Sequence, residues 1–294
     1  EPACRRGRTH EKSVAICRLK RVTYDYKNDV EKYIPKSPKI KNGKKIALIG
    51  AGPASLTVAR DLLPLGYECT IFEKDHKAGG LMRTNIPSFR LPADVLDEEI
   101  YRIIDMGAEL KLNSYIDKLK PVIDEYDSVF IGTGAPKGKD LNLKGREISS
   151  ENIHIGIDWL TSIAFEHVKK IGKKVVVIGG GNTAMDCCRS ALRLGATDVK
   201  VTVRSPFSQM KASEWEIEET MEEGIPILDN TSPKEFLFDD KGKLCGVKFE
   251  KMEQVEIDGR KKMQSTGEEL IIECDDVLLA IGQENAFPWI EKDI

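Results

Sequence analysis

The chain has 294 residues, 40% of them hydrophobic and 32% charged, with a formal net charge of -3. That length holds two domains with a core each, and the composition is that of a folded globular protein. The charge argues against a nucleic-acid binder, the absence of an apolar run near 20 residues against membrane insertion, and the charged first residues against a secretory signal.

Taken in chain order, residues 1–35 are rich in Arg and Lys and carry Cys4 and Cys17. Ser13 to Tyr26 is predicted as a helix, short enough to need neighbours. Lys36 to Lys45 reads as an exposed linker, because Pro, Gly and repeated lysines oppose burial. The pattern then changes. Lys45 to Gly50 is a short apolar run ending in glycine, as a buried parallel strand would be. Pro53 to Leu65 is predicted as a helix with Pro in its first turn. Cys69 to Glu73 is the next strand, Val95 to Met106 has helical spacing, and Ser128 to Ile131 is a strand closed by Gly132-Thr133-Gly134.

At Lys173 the same opening recurs. Lys174 to Ile178 reads as a strand, Gly179-Gly180-Gly181 as a turn, Thr183 to Leu194 as a helix and Val199 to Val203 as the following strand. Two copies of one βαβ opening, about 130 residues apart, predict two nucleotide-binding folds. Residues 234–275 alternate as strands, with a hairpin signal at Asp239-Asp240-Lys241-Gly242, and Asp276 to Ile281 is a last apolar strand closed by Gly282.

A dinucleotide's pyrophosphate lies against the backbone at a helix N-terminus, where free amides and the helix dipole favour negative charge. Glycines are needed because a Cβ blocks both the tight turn and that approach. The first fingerprint is Gly50-Ala51-Gly52-Pro53-Ala54-Ser55, with Glu73 at the end of the next strand to accept ribose hydroxyls. Ser55, at the third glycine position, is small enough for helix–strand packing. The second is Gly179-Gly180-Gly181-Asn182-Thr183-Ala184, whose next strand ends in Val203-Arg204 with no acid. A cation there favours a 2′-phosphate, so Arg204, helped by Lys211, tilts this fold towards NADP.

With these residues in view, the chain resembles the flavin and pyridine-nucleotide oxidoreductases related to the glutamate synthase small subunit and the N-terminal half of dihydropyrimidine dehydrogenase. The resemblance rests on both fingerprints, Ile71-Phe72-Glu73-Lys74, Gly79-Gly80-Leu81, Ala280-Ile281-Gly282 and, most specifically, Ile86-Pro87-Ser88-Phe89-Arg90-Leu91-Pro92. It implies an α/β protein of two Rossmann-like nucleotide-binding domains, an FAD domain with an inserted NAD(P) domain, preceded by the remnant of a helical iron–sulfur domain. The implied boundaries are 1–43 for the remnant and linker, 44–135 for the FAD domain, 136–282 for the NAD(P) domain and 283–294 for the start of the return to the FAD domain.

Carried over position by position, the resemblance implies that Ala51, Gly52, Pro53, Ala54, Ser55 and Leu56, then Glu73, Lys74, Gly79, Gly80 and Leu81, with Arg90 and Ile116, line FAD. It implies that Gly181, Asn182, Thr183 and Ala184, with Arg204, Ser205 and Lys211, and Ala280, Ile281 and Gly282, contact NADP or NAD. Ser205 stands where the family commonly carries a second basic residue. Cys4 and Cys17 match the closing portion of a domain that binds two [4Fe–4S] clusters. A cluster needs four ligands, so both are metal candidates only together with an upstream segment; by composition alone, two such cysteines are small hydrophobes. The start at Glu1 rather than Met predicts that segment, and the resemblance implies a further flavin-facing segment after Ile294.

The implied activity is an NAD(P)H-dependent FAD oxidoreductase, an electron-transfer subunit working with iron–sulfur and catalytic subunits or domains of a larger redox complex. No catalytic acid, base or nucleophile is named, because hydride transfer between stacked rings needs position and electrostatics. Seven cysteines, scattered and odd in number, fit a reducing cytoplasm rather than a disulfide framework. Cys187 and Cys188 are adjacent and no C-x-x-C occurs, so they are read as helix packing rather than a redox pair. The four histidines form no metal-ligand pattern, and Trp159, Trp215 and Trp289 are read as packing residues. Two alternatives stay open: a self-contained two-nucleotide reductase or monooxygenase, and a non-catalytic nucleotide-binding scaffold.

Overall fold

The computed structural model describes residues 3–10, 12–148, 151–257, 260–285 and 290. A short helix α1 (Arg6–Thr9) and α2 (Ile16–Asp25) come first, and neither buries a residue. The Tyr24 hydroxyl in the last turn of α2 (2.7 Å) and the Lys27 ammonium just past it (2.7 Å) both bond Glu98 on the first nucleotide fold.

That fold is a parallel sheet of β1 (Lys45–Ile49), β2 (Glu68–Phe72), β3 (Glu109–Lys111) and β4 (Ser128–Ile131), in the order β3-β2-β1-β4. Helix α3 (Pro53–Leu62) follows β1, α4 (Leu81–Thr84) and α5 (Ala93–Ile104) lie between β2 and β3, and α6 (Lys120–Glu125) precedes β4. The expected helix 53–65 ends early as an α-helix. Leu63–Leu65 tightens to a 3-10 turn around Pro64, which has no amide to continue the ladder, and Gly66 closes it at φ 88°. Leu48, Leu56, Leu63, Ile71, Leu96 and Ile100 make one core between this sheet and α3 and α5.

The chain crosses to the second fold through β5 (Lys137–Gly138). There β6 (Ile153–Ile155), α7 (Gly156–Ala164), β7 (Lys174–Ile178), α8 (Asn182–Arg193), β8 (Asp198–Thr202), α9 (Glu214–Glu222) and β9 (Ile227–Leu228) precede a meander of β10 (Thr231–Phe238), β11 (Leu244–Ile257) and β12 (Arg260–Glu273). Then β13 (Asp276–Leu279) enters the parallel sheet, giving the order β6-β13-β7-β8-β9, and β14 (Gln283–Glu284) pairs antiparallel with β5.

The continuous apolar run of β7 follows from burial on both faces. Val175 and Val177 pack on the helices with Trp159, Met185, Cys187 and Cys188, whereas Val176 and Ile178 pack on Phe236, Val247 and Phe249 of the antiparallel meander. Trp215, expected to pack, is 57% exposed, and Trp289 lies outside the described residues. So does most of the expected return segment 283–294, of which 283–285 and 290 are described. Among the described residues no helix is long and apolar enough to cross a membrane.

Candidate functional site

The first glycine turn is clamped from both sides at Ala51. Its amide donates to Glu73 Oε2 (2.7 Å) and its carbonyl accepts the Gly79 amide (2.9 Å). Glu73 also accepts the Asp75 amide at 3.1 Å and is 6% exposed. A carboxylate has further lone pairs to offer ribose hydroxyls, and Glu73 does line the cleft. Gly80, at φ 54°, brings its backbone so close to Gly52 that a Cβ there would stand 2.8 Å from the Gly52 Cα. The paired glycines and the first free amides of α3 form a cradle for a diphosphate.

Above it lies a cleft of 550 Å³ whose walls include Gly52, Pro53, Ala54, Glu73, Lys74, Gly80, Leu81 and Ile116. The Thr133 hydroxyl on its wall is buried without a hydrogen-bond partner, an orphan a bound nucleotide can satisfy. The cradle and that hydroxyl fit an FAD.

Five of the expected FAD residues stand elsewhere. Ala51 and Leu56 are buried in the core behind the turn, Ser55 is buried against Gly132 at the end of β4, and Gly79 is the clamp just described. Arg90 departs furthest: it donates to Asp186 Oδ1 (2.6 Å) and approaches Glu216 Oε1 (2.5 Å), both on the second fold. Those two carboxylates are 7% and 4% exposed. A guanidinium is drawn there because buried carboxylates need a partner. Next to it, Phe89 lies under the guanidinium groups of Arg189 (5.0 Å) and Arg193 (3.9 Å). The most specific motif of the chain is an interfold clasp.

The second glycine turn is wedged in place by Ala280, just past β13. A Cβ on Gly179 would lie 2.2 Å from the Ala280 carbonyl oxygen, whereas one on Gly181 would meet no protein atom within 4 Å. Gly181 faces the open cleft. The Gly180 carbonyl accepts the amides of Lys211 and Ala212, each at 3.0 Å. Asn182 Oδ1 accepts the Ser213 amide at 2.8 Å. Asn182 therefore fastens the loop that carries Lys211 and does not itself line the cleft, and Ala184 is buried in the core. Gly181, Thr183, Arg204, Ser205, Lys211, Ala280, Ile281 and Gly282 all line one cleft of 1190 Å³. Open backbone beside a strand-end cation fits a nicotinamide nucleotide.

Ile157, in the first turn of α7, lines both clefts. Its carbonyl accepts the Asn85 side-chain amide (3.2 Å), and Asn85 in turn accepts the Thr84 hydroxyl (2.8 Å). Asp158 and Thr161 of α7 also line the first cleft, and burial raises the Asp158 carboxyl. Sequence reasoning missed α7 altogether, although Gly132-Thr133-Gly134 was visible as a strand end. Cys187 and Cys188 lie in the core with their thiols raised by burial, Cys188 to about 12. Among the described residues no three Cys, His, Asp or Glu side chains converge to hold a metal.

Two parallel-sheet folds in one chain, each with a glycine cradle opening on a cleft, make this a protein of two dinucleotide-binding folds. Residues 44–292 match the pyridine nucleotide-disulphide oxidoreductase family, and the chain belongs to it. It is 35% identical over 303 positions to the NADPH-Fe(3+) oxidoreductase subunit beta of Geobacter sulfurreducens, covering 100% of this chain and 45% of that protein. It is 32% identical over 268 positions to the glutamate synthase [NADPH] small chain of Escherichia coli, covering 85% and 56%. Against the NAD-dependent dihydropyrimidine dehydrogenase subunit PreT of Salmonella typhimurium the identity is 32%, covering 96% and 65%. The chain thus spans roughly half the length of the curated relatives it matches. The oxidoreductase FprA of Mycobacterium tuberculosis has a TM-score of 0.72 at 18% identity over 83% of this chain and 72% of that one. Thioredoxin reductase of T. acidophilum has a TM-score of 0.58 at 20% identity over 82% and 78%. At such identities the likeness is one of fold.

Proposed function

We propose that this chain is the nucleotide-binding part of a cytoplasmic electron-transfer flavoprotein, exchanging electrons between NADPH and FAD and relaying them to iron–sulfur partners in a larger redox enzyme. The observation that carries this reading is the pair of glycine cradles on neighbouring clefts that share Ile157 as a lining residue. FAD, when bound, converts between two-electron exchange with a nicotinamide and one-electron exchange with a cluster. The chain's own contribution is position: glycine turns hold the diphosphates, Glu73 the flavin-side ribose, and Arg204 with Lys211 the far end of the nicotinamide nucleotide.

The relatives are named as a beta subunit, a small chain and a dehydrogenase subunit, which supports a larger assembly without specifying its members. Their names divide between NADPH and NAD, so the choice of donor rests on the residues of the second cleft. Cys4, whose thiol is drawn down by the backbone amides of Val14, Arg6 and Gly7, is a candidate cluster ligand in company with cysteines of another segment or subunit, with Cys17 a second. The reading is tested on the full-length protein purified with its partners. Flavin absorbance near about 450 nm should bleach anaerobically on adding NADPH. A colourless protein, or flavin that stays oxidised with both NADPH and NADH, refutes it.

A further inference from the structure

The nicotinamide-nucleotide cleft has a wall that neither glycine fingerprint supplies. β11 and β12 stay paired out to Ile257 and Arg260, whereas β10 accompanies them only as far as Thr231, opposite Lys251. Residues 252–257 and 260–265 therefore run beyond the three-stranded sheet as a two-stranded ribbon. The ribbon is rooted at Asn230. The Asn230 amide donates to the Ser205 carbonyl (3.4 Å), and its carbonyl accepts the Met252 amide (2.8 Å). The Thr231 amide adds a bond to the Val203 carbonyl (2.9 Å). The root is thus fastened to the strand end that carries Arg204. From the ribbon's second strand, Lys262 and Met263 join Arg204, Ser205 and Lys211 in lining one cleft.

What distinguishes Lys262 from the other lysines of the meander is its place on the cleft wall. Lys234 and Lys248 are paired with Glu250 and Glu269. Opposite Lys262 stands Val255, and among the described residues Lys262 forms no ion pair; nor do Arg204 and Lys211. Three cations around one cleft without a carboxylate create a positive field that a dianion neutralises. The 2′-phosphate is the group that separates NADP from NAD. At the strand end only Arg204 is there to receive it, because Ser205 brings no charge.

We infer that Lys262 is a specificity-determining residue: beside Arg204 and Lys211, the ribbon supplies a further cation to a cleft whose strand end carries no charge at Ser205. A lysine suits that place, since its long stem carries a point charge from an exposed strand to a phosphate at the cleft edge. The inference rests on the reading that the second cradle binds a nicotinamide nucleotide. It commits that site to the 2′-phosphorylated form.

The test uses the full-length protein carrying Lys262→Gln, with Lys261→Gln, a strand neighbour that does not line the cleft, as control. Calorimetry measures adenosine 2′,5′-bisphosphate against 5′-AMP, and steady-state kinetics compare NADPH with NADH. Lys262→Gln is expected to weaken the bisphosphate about tenfold, to reduce the salt dependence of its binding, and to leave 5′-AMP affinity and the KM for NADH unchanged. Lys261→Gln should change none of these. Unaltered bisphosphate affinity in Lys262→Gln, or an equal loss for both nucleotides, overturns the assignment. If the unmutated protein binds neither adenine nucleotide, the second cradle itself is refuted and the role of Lys262 with it.

Discussion

Arg90 donates to Asp186 across the two nucleotide folds at 2.6 Å, and Asp186 lies one turn into the helix that begins at the second cradle. The second guanidinium nitrogen engages Glu216, which Arg189 also reaches at 3.1 Å. Arg90 thus neutralises two buried carboxylates on a fold other than its own. Arg90→Met leaves them facing each other without that cation, and the expected loss is on the order of 3 kcal/mol in urea denaturation. Since Arg90 does not line the flavin cleft, flavin content should survive the change. Parallel loss of flavin with unchanged stability would contradict the clasp.

The same cluster predicts a dependence on pH. Burial pushes the Asp186 carboxyl up to about 6, opposed by Arg90 and assisted by the charge of Glu216. The unfolded value is about 3.9, so between these limits the native state holds the extra proton. The stability this group contributes is full below about pH 4 and is lost as pH rises through 6. Asp186→Asn removes that titration. Relative to the unmutated protein, the variant should gain about 2–3 kcal/mol between pH 4 and 7, read from denaturation curves at several pH values. A constant difference would mean that Asp186 is ionised throughout.

Gly179 and Gly181 should behave as opposites. Gly179→Ala meets the Ala280 carbonyl at 2.2 Å and a φ of 145°, so it should lower the melting temperature. Gly181→Ala meets no protein atom and has an ordinary φ of -104°. It should fold with nearly unchanged stability and still bind NADPH at least tenfold more weakly, because the new methyl takes space meant for the diphosphate.

On the flavin side, Glu73→Ala frees the Ala51 amide in a buried place. A buried donor without an acceptor costs about 1–3 kcal/mol, and the turn it holds is the cradle. Purified Glu73→Ala should carry less than half the flavin of the unmutated protein, measured by the absorbance ratio of flavin to protein. Gly80→Ala, with its Cβ against Gly52, should do the same.

The adjacent cysteines of α8 offer a negative test. Cys187 and Cys188 are fully buried and their thiols resist ionisation, so a thiol reagent should label neither in the native protein. The double change to Ala should retain NADPH-dependent flavin reduction at an expected cost of about 1–2 kcal/mol in stability. Loss of flavin reduction with folding intact would reopen a redox role.

Both strand–turn–helix openings are legible in the sequence because parallel strands buried on two faces leave continuous apolar runs, and the turns after them must be glycine. Helix α9 is not legible in the same way. Its buried face is made of Glu216 and Thr220, held by Arg189 and by the Met185 sulfur, so apolar periodicity passes over it. The fingerprint positions divide for a similar reason. Ala51, Ser55 and Leu56 share the motif with Gly52 and Ala54, but they are buried behind the turn. The ribbon over the second cleft depends on how far β11 and β12 outrun β10, a register that hairpin residues alone do not set.

Lys137–Gly138 and Gln283–Glu284 run side by side, and the Lys139 amide bonds the Gly282 carbonyl at 3.0 Å. Everything between them is therefore reached and left through one doorway. Such an arrangement turns the second nucleotide fold into a cassette: a version tuned to another nucleotide can be grafted at a single junction, without recutting the first sheet. The graft carries a compatibility rule, which is that the incoming helices must offer acids where Arg90 lands and cations over Phe89.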